Sequence, residues 1–235
     1  MKTKIFSDRI ELSNFFGDYL INLSKSKEEV NIALSGGSTP QVIFDVLAKD
    51  YADKINWDSL RFFWGDERCV SPEDEESNFR MTKKHLFNKL NISDKNIFRI
   101  KGELTPEAAC SDYIKVINEE LPVVNKLPQF DLMILGMGDD GHTASIFPYQ
   151  MNLWNSSKVC EIATHPETGQ KRITLTGGVI NNSKEIFFLV TGANKAEKVQ
   201  EILEKKGAYT DYPAFKVDAS KSIWLMDKPA AQLLK

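Results

Sequence analysis

The fold is decided by residues 130–148, F-D-L-M-I-L-G-M-G-D-D-G-H-T-A-S-I-F-P. Residues 132–135 form an apolar run of a length suited to a buried strand. The run stops at a cluster of glycines and carboxylates, namely Gly136, Gly138, Gly141, Asp139 and Asp140. His142 follows directly, and an imidazole is the side chain that exchanges protons most readily near neutral pH. The stretch therefore predicts a strand that ends in a polar, backbone-rich loop with a candidate acid–base group.

Strand and helix patterns alternate on both sides of this stretch. Short apolar runs predict strands at residues 30–34, 60–64, 97–100, 132–135, 159–163, 172–176, 185–191 and 222–226. Apolar residues at helical spacing predict helices at 9–24, 77–90, 105–120 and 193–205, and two more that begin near Pro40 and Pro229. This alternation is typical of an α/β fold with a largely parallel sheet covered on both faces.

Composition places the chain among globular proteins. With 42% hydrophobic and 27% charged residues, 235 residues suffice for a sizeable core, and residues 1–235 are expected to form one domain because no linker divides them. The net charge of −3 argues against general affinity for nucleic acid or acidic membranes. No apolar run approaches the roughly 20 residues that span a bilayer, and the N-terminus lacks a signal-peptide core. We therefore expect a cytoplasmic protein.

Side chains that bind metals are dispersed along the chain. Cys69, Cys110 and Cys160 are far apart and form no C-x-x-C pair, which favours reduced thiols over disulfides or a zinc site. No two histidines have the spacing of metal ligands. The sequence therefore predicts neither a protein-bound metal nor a cofactor.

Four polar loops follow predicted strands. They are S-G-G-S-T-P (35–40), G-D-E-R (65–68), G-M-G-D-D-G-H-T (136–143) and T-G-A-N-K (191–195). Because ligands of parallel α/β sheets bind outside the carboxyl ends of the strands, we expect these loops to share one edge and to form the site.

The S-G-G-S-T-P loop leaves two interpretations open. Gly36, Gly37, Ser38 and Thr39 stand where a strand passes into a helix, so backbone N–H groups and two hydroxyls could hold a phosphate. A tight turn with a Ser or Thr cap explains the same residues equally well. The loop is not a P-loop, because the required spacing and lysine are missing.

Gly136, Gly138 and Gly141 also match the dinucleotide fingerprint G-x-G-x-x-G, and Glu161 lies at the distance expected of its acidic residue. That fingerprint requires a long helix to follow at once. Pro148 leaves about two turns before such a helix would break, so we do not favour a nucleotide site.

His142 is the candidate general base or acid, with Asp140 placed to orient its ring. His85 and His165 lie in a predicted helix and a loop, and both are interpreted as surface residues. Three cations fall beside predicted strand ends and together suit a phosphoryl group, namely Arg68, Arg172 and Lys195.

These loops resemble, in the same order, those of the 6-phosphogluconolactonases. The matching segments are S-G-G-S-T-P, W-G-D-E-R-C-V with S-N-F-R, L-G-M-G-D-D-G-H-T-A-S-I-F-P, K-R-I-T-L, L-V-T-G-A-N-K-A and W-L-M-D. Glucosamine-6-phosphate deaminases have a related loop, but they typically continue D-G-H-I-A-F-N-E-P and carry D-E-Y where this chain has D-E-R. The chain departs from the lactonase pattern at 165–171, H-P-E-T-G-Q-K, which is longer than usual, and at Thr176–Gly178, where the family is often more apolar.

The resemblance implies a three-layer α/β/α sandwich with a mainly parallel, Rossmann-like sheet, similar to glucosamine-6-phosphate deaminase and ribose-5-phosphate isomerase. It also implies hydrolysis of 6-phospho-D-glucono-1,5-lactone to 6-phospho-D-gluconate in the oxidative pentose phosphate pathway, without a metal. The partner would be a small phosphorylated sugar lactone, and the protein a monomer or weak dimer.

By the same resemblance His142 would move the proton and Asp140 would orient it. Asp66 would bind ring hydroxyls or support Arg68. The other expected substrate-binding residues are Gly36, Gly37, Ser38, Thr39, Thr143, Arg172 and Lys195. Two alternatives remain, a deaminase and a sugar-phosphate sensor. A sensor would need a DNA-binding module, for which we see no room before the first predicted strand at residue 30.

Overall fold

The computed structural model describes residues 1–235, with eleven strands in three sheets. The strands are β1 (Lys2–Phe6), β2 (Val30–Leu34), β3 (Leu60–Trp64), β4 (Asp66–Arg68), β5 (Val123–Val124), β6 (Leu127–Pro128), β7 (Leu132–Leu135), β8 (Cys160–Thr164), β9 (Lys171–Leu175), β10 (Glu185–Val190) and β11 (Ser222–Asp227). Six of them form the central sheet in the order β1-β11-β10-β7-β2-β3, and every neighbouring pair is parallel.

Full burial of the strands in one half of the sheet explains this parallel arrangement. Every residue of β2, β3 and β7 is buried, so neither face of the sheet meets water there. Strands buried on both faces need crossover helices on both sides, which keeps successive strands parallel. The structure confirms the predicted α/β fold, and one core cluster of 56 buried residues runs through it.

Nine helices complete the fold. They are α1 (Arg9–Leu23), α2 (Ser38–Asp50), α3 (Asn78–His85), α4 (Pro106–Glu120), α5 (Met151–Trp154), α6 (Gly177–Asn182), α7 (Ala196–Leu203), α8 (Pro213–Lys216) and α9 (Lys228–Ala231). Side-chain caps mark several starts: Asp8 accepts from the N–H of Ile10 at 2.8 Å and of Glu11 at 2.9 Å. No helix combines the length and the apolar composition needed to cross a bilayer.

Two predicted strands lie outside the central sheet. β8 and β9 pair antiparallel with each other, and β9 also pairs antiparallel with β4, in the order β4-β9-β8. The short connection between β8 and β9 forces this direction, because parallel neighbours need a crossover of a dozen or more residues. Much of the predicted G-D-E-R loop is therefore strand β4.

Other elements differ because their sequence signals are weak. β1, K-T-K-I-F, was not predicted; it is an edge strand whose only buried residue is Phe6. The strand predicted at 97–100 is wrong, because only Ile97 forms a bridge, to Phe62. The helix predicted for 77–90 ends at His85 and is followed by a short 3₁₀ turn, Phe87–Lys89. The β5–β6 hairpin and the short helices α5, α6 and α8 were also missed.

Candidate active site

A cleft of about 320 Å³ opens at the carboxyl ends of β2, β3, β7 and β10. Nine of the eleven site residues predicted from the sequence line it, namely Gly36, Gly37, Ser38, Thr39, Asp66, Arg68, His142, Arg172 and Lys195. The other two, Asp140 and Thr143, are not among the residues that line it. The four polar loops therefore meet at one edge, as the parallel topology leads one to expect.

His142 is held in place by its own loop. Its Nδ1 lies 2.6 Å from Oδ1 of Asp140, and its backbone N–H donates to the same oxygen at 3.0 Å. Its carbonyl accepts from the N–H of Gly138 at 2.9 Å. An Nδ1–H that donates to a carboxylate leaves Nε2 as the basic nitrogen, and the ring lines the cleft.

The charge of Asp140 matches this role. Burial by itself raises the pKa of the Asp140 carboxyl, but the hydrogen bond and the charge of His142 outweigh burial and hold the pKa below its usual value. The carboxylate therefore stays ionised near neutral pH and remains an acceptor for Nδ1–H.

Glycine is required before this pair, at Gly138, and between its two members, at Gly141. A Cβ at Gly138 would lie 2.1 Å from Nδ1 of His142. Gly141 has a φ of +84°, and a Cβ there would lie 2.6 Å from the ring of Tyr212. The glycines thus serve the packing of the loop against His142 and Tyr212.

Replacing Gly141 by alanine is expected to lower the free energy of unfolding by about 2 to 4 kcal/mol, from backbone strain together with the clash against Tyr212. Urea unfolding measures this loss. Gly169 is a matched control, because its φ is +70° but a Cβ there would meet no other atom within 4 Å. Gly169→Ala should therefore cost only about 1 kcal/mol. Equal losses in the two variants would contradict the clash.

Phe147 connects the imidazole with a cation of the cleft. Its ring centroid lies 4.6 Å from that of His142 and 5.7 Å from Cζ of Arg172, and the ring of His165 packs edge-on against it at 5.3 Å. His165 thus has a packing role beside the site. His85 lies away from the cleft, with Nδ1 2.9 Å from Asp45.

Arg68 and Arg172 face each other across strands β4 and β9, where they are direct register partners. Burial, and then the positive charge of Arg68, lower the pKa of Arg172. Nε of Arg68 is buried and has no hydrogen-bond partner, while its Nη1 donates to the carbonyl of Glu76. Two neighbouring guanidinium groups with unused donors are suited to an anion that carries more than one negative charge.

Asp66 is buried beside the two arginines. Its Oδ2 accepts from the hydroxyl of Ser145 at 2.6 Å, and its backbone carbonyl accepts from Nδ2 of Asn78 at 2.9 Å. Neither Ser145 nor Asn78 was singled out from the sequence, although both lie in the T-A-S and S-N-F-R segments that carry the family resemblance. Together they fix a carboxylate on the wall of the cleft.

The start of α2 favours the anion interpretation of the S-G-G-S-T-P loop. The helix begins at Ser38, and Gly37 precedes it with a φ of 107° and no side-chain capping bond. The Ser or Thr cap of the alternative interpretation is therefore not made, and the first N–H groups of a 13-residue helix remain free beside the cleft. Thr39 instead contacts Thr191, with 2.7 Å between the two hydroxyls.

Lys195 differs from the arginines because it already has an anionic partner. Its Nζ lies 2.6 Å from Oδ1 of Asp139, which also accepts from Asn194 at 3.0 Å. The side chain of Asp139 is 71% exposed, so water can replace this contact at little cost. Two donors of the ammonium group remain for a ligand.

Thr143 lies inside the protein. It is fully buried, and its hydroxyl donates to the carbonyl of Gly136 at 2.8 Å. The next residue, Ala144, has a φ of 49°, which turns the chain sharply. The hydroxyl of Thr143 therefore closes the loop, and its contact with a substrate stays a prediction.

The glycine-rich loop does not continue into a helix. Residues 143–147 form turns and an isolated bridge, and a short 3₁₀ turn, Pro148–Gln150, and the four-residue helix α5 follow. The dinucleotide fingerprint therefore lacks its pyrophosphate-binding helix. No group of three or more His, Cys, Asp or Glu side chains is arranged to hold a metal ion.

Comparison with known proteins agrees with this geometry. Residues 10–225 match the family model described as glucosamine-6-phosphate isomerases/6-phosphogluconolactonase. The chain belongs to this family. The 6-phosphogluconolactonase of Treponema pallidum is 42% identical over 225 residues, which cover 96% of this chain and 93% of that protein.

Solved structures of the glucosamine-6-phosphate isomerase/6-phosphogluconolactonase family have the same fold. The 6-phosphogluconolactonase of Thermotoga maritima aligns with a TM-score of 0.82 at 29% identity, over 97% of this chain and 99% of that one. A monomeric glucosamine-6-phosphate deaminase aligns with a TM-score of 0.80 over 99% of this chain and 100% of that one. Since the deaminase is only 21% identical, its similarity shows the shared fold alone.

Proposed function

We infer that the protein hydrolyses 6-phospho-D-glucono-1,5-lactone to 6-phospho-D-gluconate, the lactone-opening step of the oxidative pentose phosphate pathway. One observation carries this inference: the carboxylate-held imidazole of His142 lines the same cleft as the paired guanidinium groups of Arg68 and Arg172. An acid–base group beside a polyanion site suits a phosphorylated substrate that reacts by proton transfer. The lactonase names of the similar proteins support the same activity.

In the proposed reaction Nε2 of His142 takes a proton from water as the water oxygen attacks the lactone carbonyl. The resulting oxyanion needs donors, which the N–H groups of the cleft loops and the nearby cations offer. The bond from the carbonyl carbon to the ring oxygen then breaks, and His142 returns its proton to that oxygen. The products are a free sugar hydroxyl and a carboxylic acid, and His142 is again neutral.

The 6-phosphate would lie among the cations and the uncapped start of α2, where Gly37, Ser38 and Thr39 line the cleft. Asp66, held by Ser145, would accept hydrogen bonds from sugar hydroxyls. We propose this arrangement for the predicted binding residues, with Thr143 as a support of the loop.

A pH-stat assay on freshly made lactone tests the activity, because opening the lactone releases one proton as the carboxylic acid ionises. We expect base uptake well above the spontaneous rate. Ammonia released from glucosamine 6-phosphate, without lactone opening, would instead establish the deaminase. Binding of 6-phosphogluconate with neither activity would favour the sensor.

Replacing Asp140 by asparagine is expected to lower kcat by up to about 10⁴-fold, because the carboxylate that orients a catalytic imidazole is lost. The amide can donate to Nδ1 and so stabilise the wrong tautomer. Steady-state kinetics on the phosphorylated lactone measure the effect.

Asp45 provides the matched control, because it also contacts a histidine, His85, at 2.9 Å but lies away from the cleft. Asp45→Asn should leave kcat unchanged. If Asp140→Asn also kept full turnover, Asp140 would have no orienting role.

Three further expectations stay predictions. They are the metal independence of the reaction, the cytoplasmic location, and a monomeric or weakly dimeric state. Sedimentation in solution measures the oligomeric state directly.

A further inference from the structure

The turn between β8 and β9, residues 165–170, is closed by its own hydrogen bonds. The N–H of His165 donates to the carbonyl of Gln170 at 2.9 Å, and the N–H of Gly169 donates to the carbonyl of His165 at 3.0 Å. Nδ1 of His165 accepts from the N–H groups of Glu167 and Thr168, both at 3.3 Å. The segment therefore forms a closed turn, and the backbone of Gln170 is held beside Arg172.

The side chain of Gln170 links a cation to an anion. Its Oε1 accepts from Nε of Arg172 at 3.2 Å, and its Nε2 donates to Oε2 of Glu76 at 2.9 Å. The backbone carbonyl of Glu76 accepts from Nη1 of Arg68. Glu76, the last residue of the acidic run 73–76, is thus tied to both arginines of the cleft.

An amide at this position has a specific physical consequence. It orients Arg172 through Nε but adds no charge, so the two terminal nitrogens of the guanidinium keep their donors and their positive charge for a ligand. A carboxylate at residue 170 would form an ion pair with Arg172 and compete with a bound phosphate. The existing carboxylate of Glu76 is held one side chain farther away.

We propose that Gln170 is a positioning residue for the phosphate site, which aims Arg172 at the phosphoryl group and keeps the carboxylate of Glu76 away from it. The proposal rests on the proposed function in one respect, that the phosphoryl group belongs to a sugar phosphate. It explains why a neutral amide stands between an arginine and an acidic loop.

The test uses three variants, Gln170→Glu, Gln170→Ala and the double variant Gln170→Glu/Glu76→Gln. Calorimetry measures binding of inorganic phosphate and of 6-phosphogluconate, which cannot be hydrolysed further. Kinetics give KM and kcat for the phosphorylated lactone and for the same lactone without phosphate. Thermal unfolding reports structural damage.

We expect Gln170→Glu to weaken binding of both phosphate ligands about tenfold to a hundredfold, and Gln170→Ala by a smaller factor, as expected when a hydrogen bond to a charged group changes. KM for the phosphorylated lactone should rise by about the same factor as the loss of binding. The kcat of each variant should stay within about threefold of the wild-type value. Hydrolysis of the unphosphorylated lactone should not change. The double variant should regain the link between residues 76 and 170, and hence thermal stability, but binding should stay weak.

Three results would overturn the proposal. They are unchanged binding in Gln170→Glu, an equal loss with both lactones, and recovery of binding together with stability in the double variant. A different result would refute the proposed function. If the wild-type protein binds 6-phosphogluconate without hydrolysing the lactone, the proposed activity is wrong, but binding still tests the role of Gln170. Wild-type protein that binds neither phosphate ligand would refute both.

Discussion

His142→Ala is expected to lower kcat by about 10²- to 10⁴-fold, the usual contribution of a general base. The variant loses the only imidazole that lines the cleft, which Asp140 orients at 2.6 Å. Binding of 6-phosphogluconate should remain within a few-fold, because the arginines are untouched. The pH-stat assay measures the first effect and calorimetry the second.

His85→Ala is the control for this variant. His85 also contacts an aspartate, but it lies on α3 away from the cleft, so its loss should leave kcat unchanged. Turnover of His142→Ala close to that of the wild type would remove His142 from the mechanism and leave the site without a base.

Arg172→Ala is expected to lower kcat/KM for the phosphorylated lactone by roughly 30-fold to several thousand-fold, which corresponds to about 2 to 5 kcal/mol for a charge that pairs with a desolvated ligand. Most of the loss should appear in KM. The guanidinium is half-buried and lies beside Arg68, so its removal leaves one guanidinium, with the ammonium of Lys195, to bind a phosphate that carries about two charges.

Two comparisons make this result specific. Arg172→Lys keeps the charge but loses the planar pair of donors, so it should recover only part of the affinity. Arg99→Ala removes an arginine that pairs with Glu103 at 2.6 Å outside the cleft and should have no effect. If Arg172→Ala impaired the unphosphorylated lactone equally, the phosphate assignment would be wrong.

Local features of the site were predictable from the sequence. His142 and Asp140 are two residues apart, so one turn rich in glycine brings them together, and the sequence shows both the turn and the side chains. The meeting of the four loops follows from the parallel sheet, since each loop succeeds a strand. These inferences need only short-range patterns and one rule of topology.

Features that depend on register were not predictable. Arg68 and Arg172 face each other because β4 and β9 pair antiparallel in one register, and no local pattern specifies that pairing. Thr143 turns inward because Ala144 adopts a φ of 49°, which is unusual for alanine and has no sequence signal. β1 was missed because it is an exposed edge strand. Only Phe6 is buried, so its sequence contains little apolar signal for a strand.

The pairing of the first strand with the last has a consequence during synthesis on the ribosome. Lys2 of β1 pairs with Ile223 of β11, so β1 has no partner strand until β11, more than 200 residues later, has been synthesised. The cleft depends on distant segments in the same way, because Thr39 meets Thr191 and Arg68 meets Arg172. Contacts so distant along the chain slow folding and leave strand edges open to aggregation in the meantime. A nascent chain therefore has no assembled site until Lys195, the last residue that lines the cleft, has left the exit tunnel.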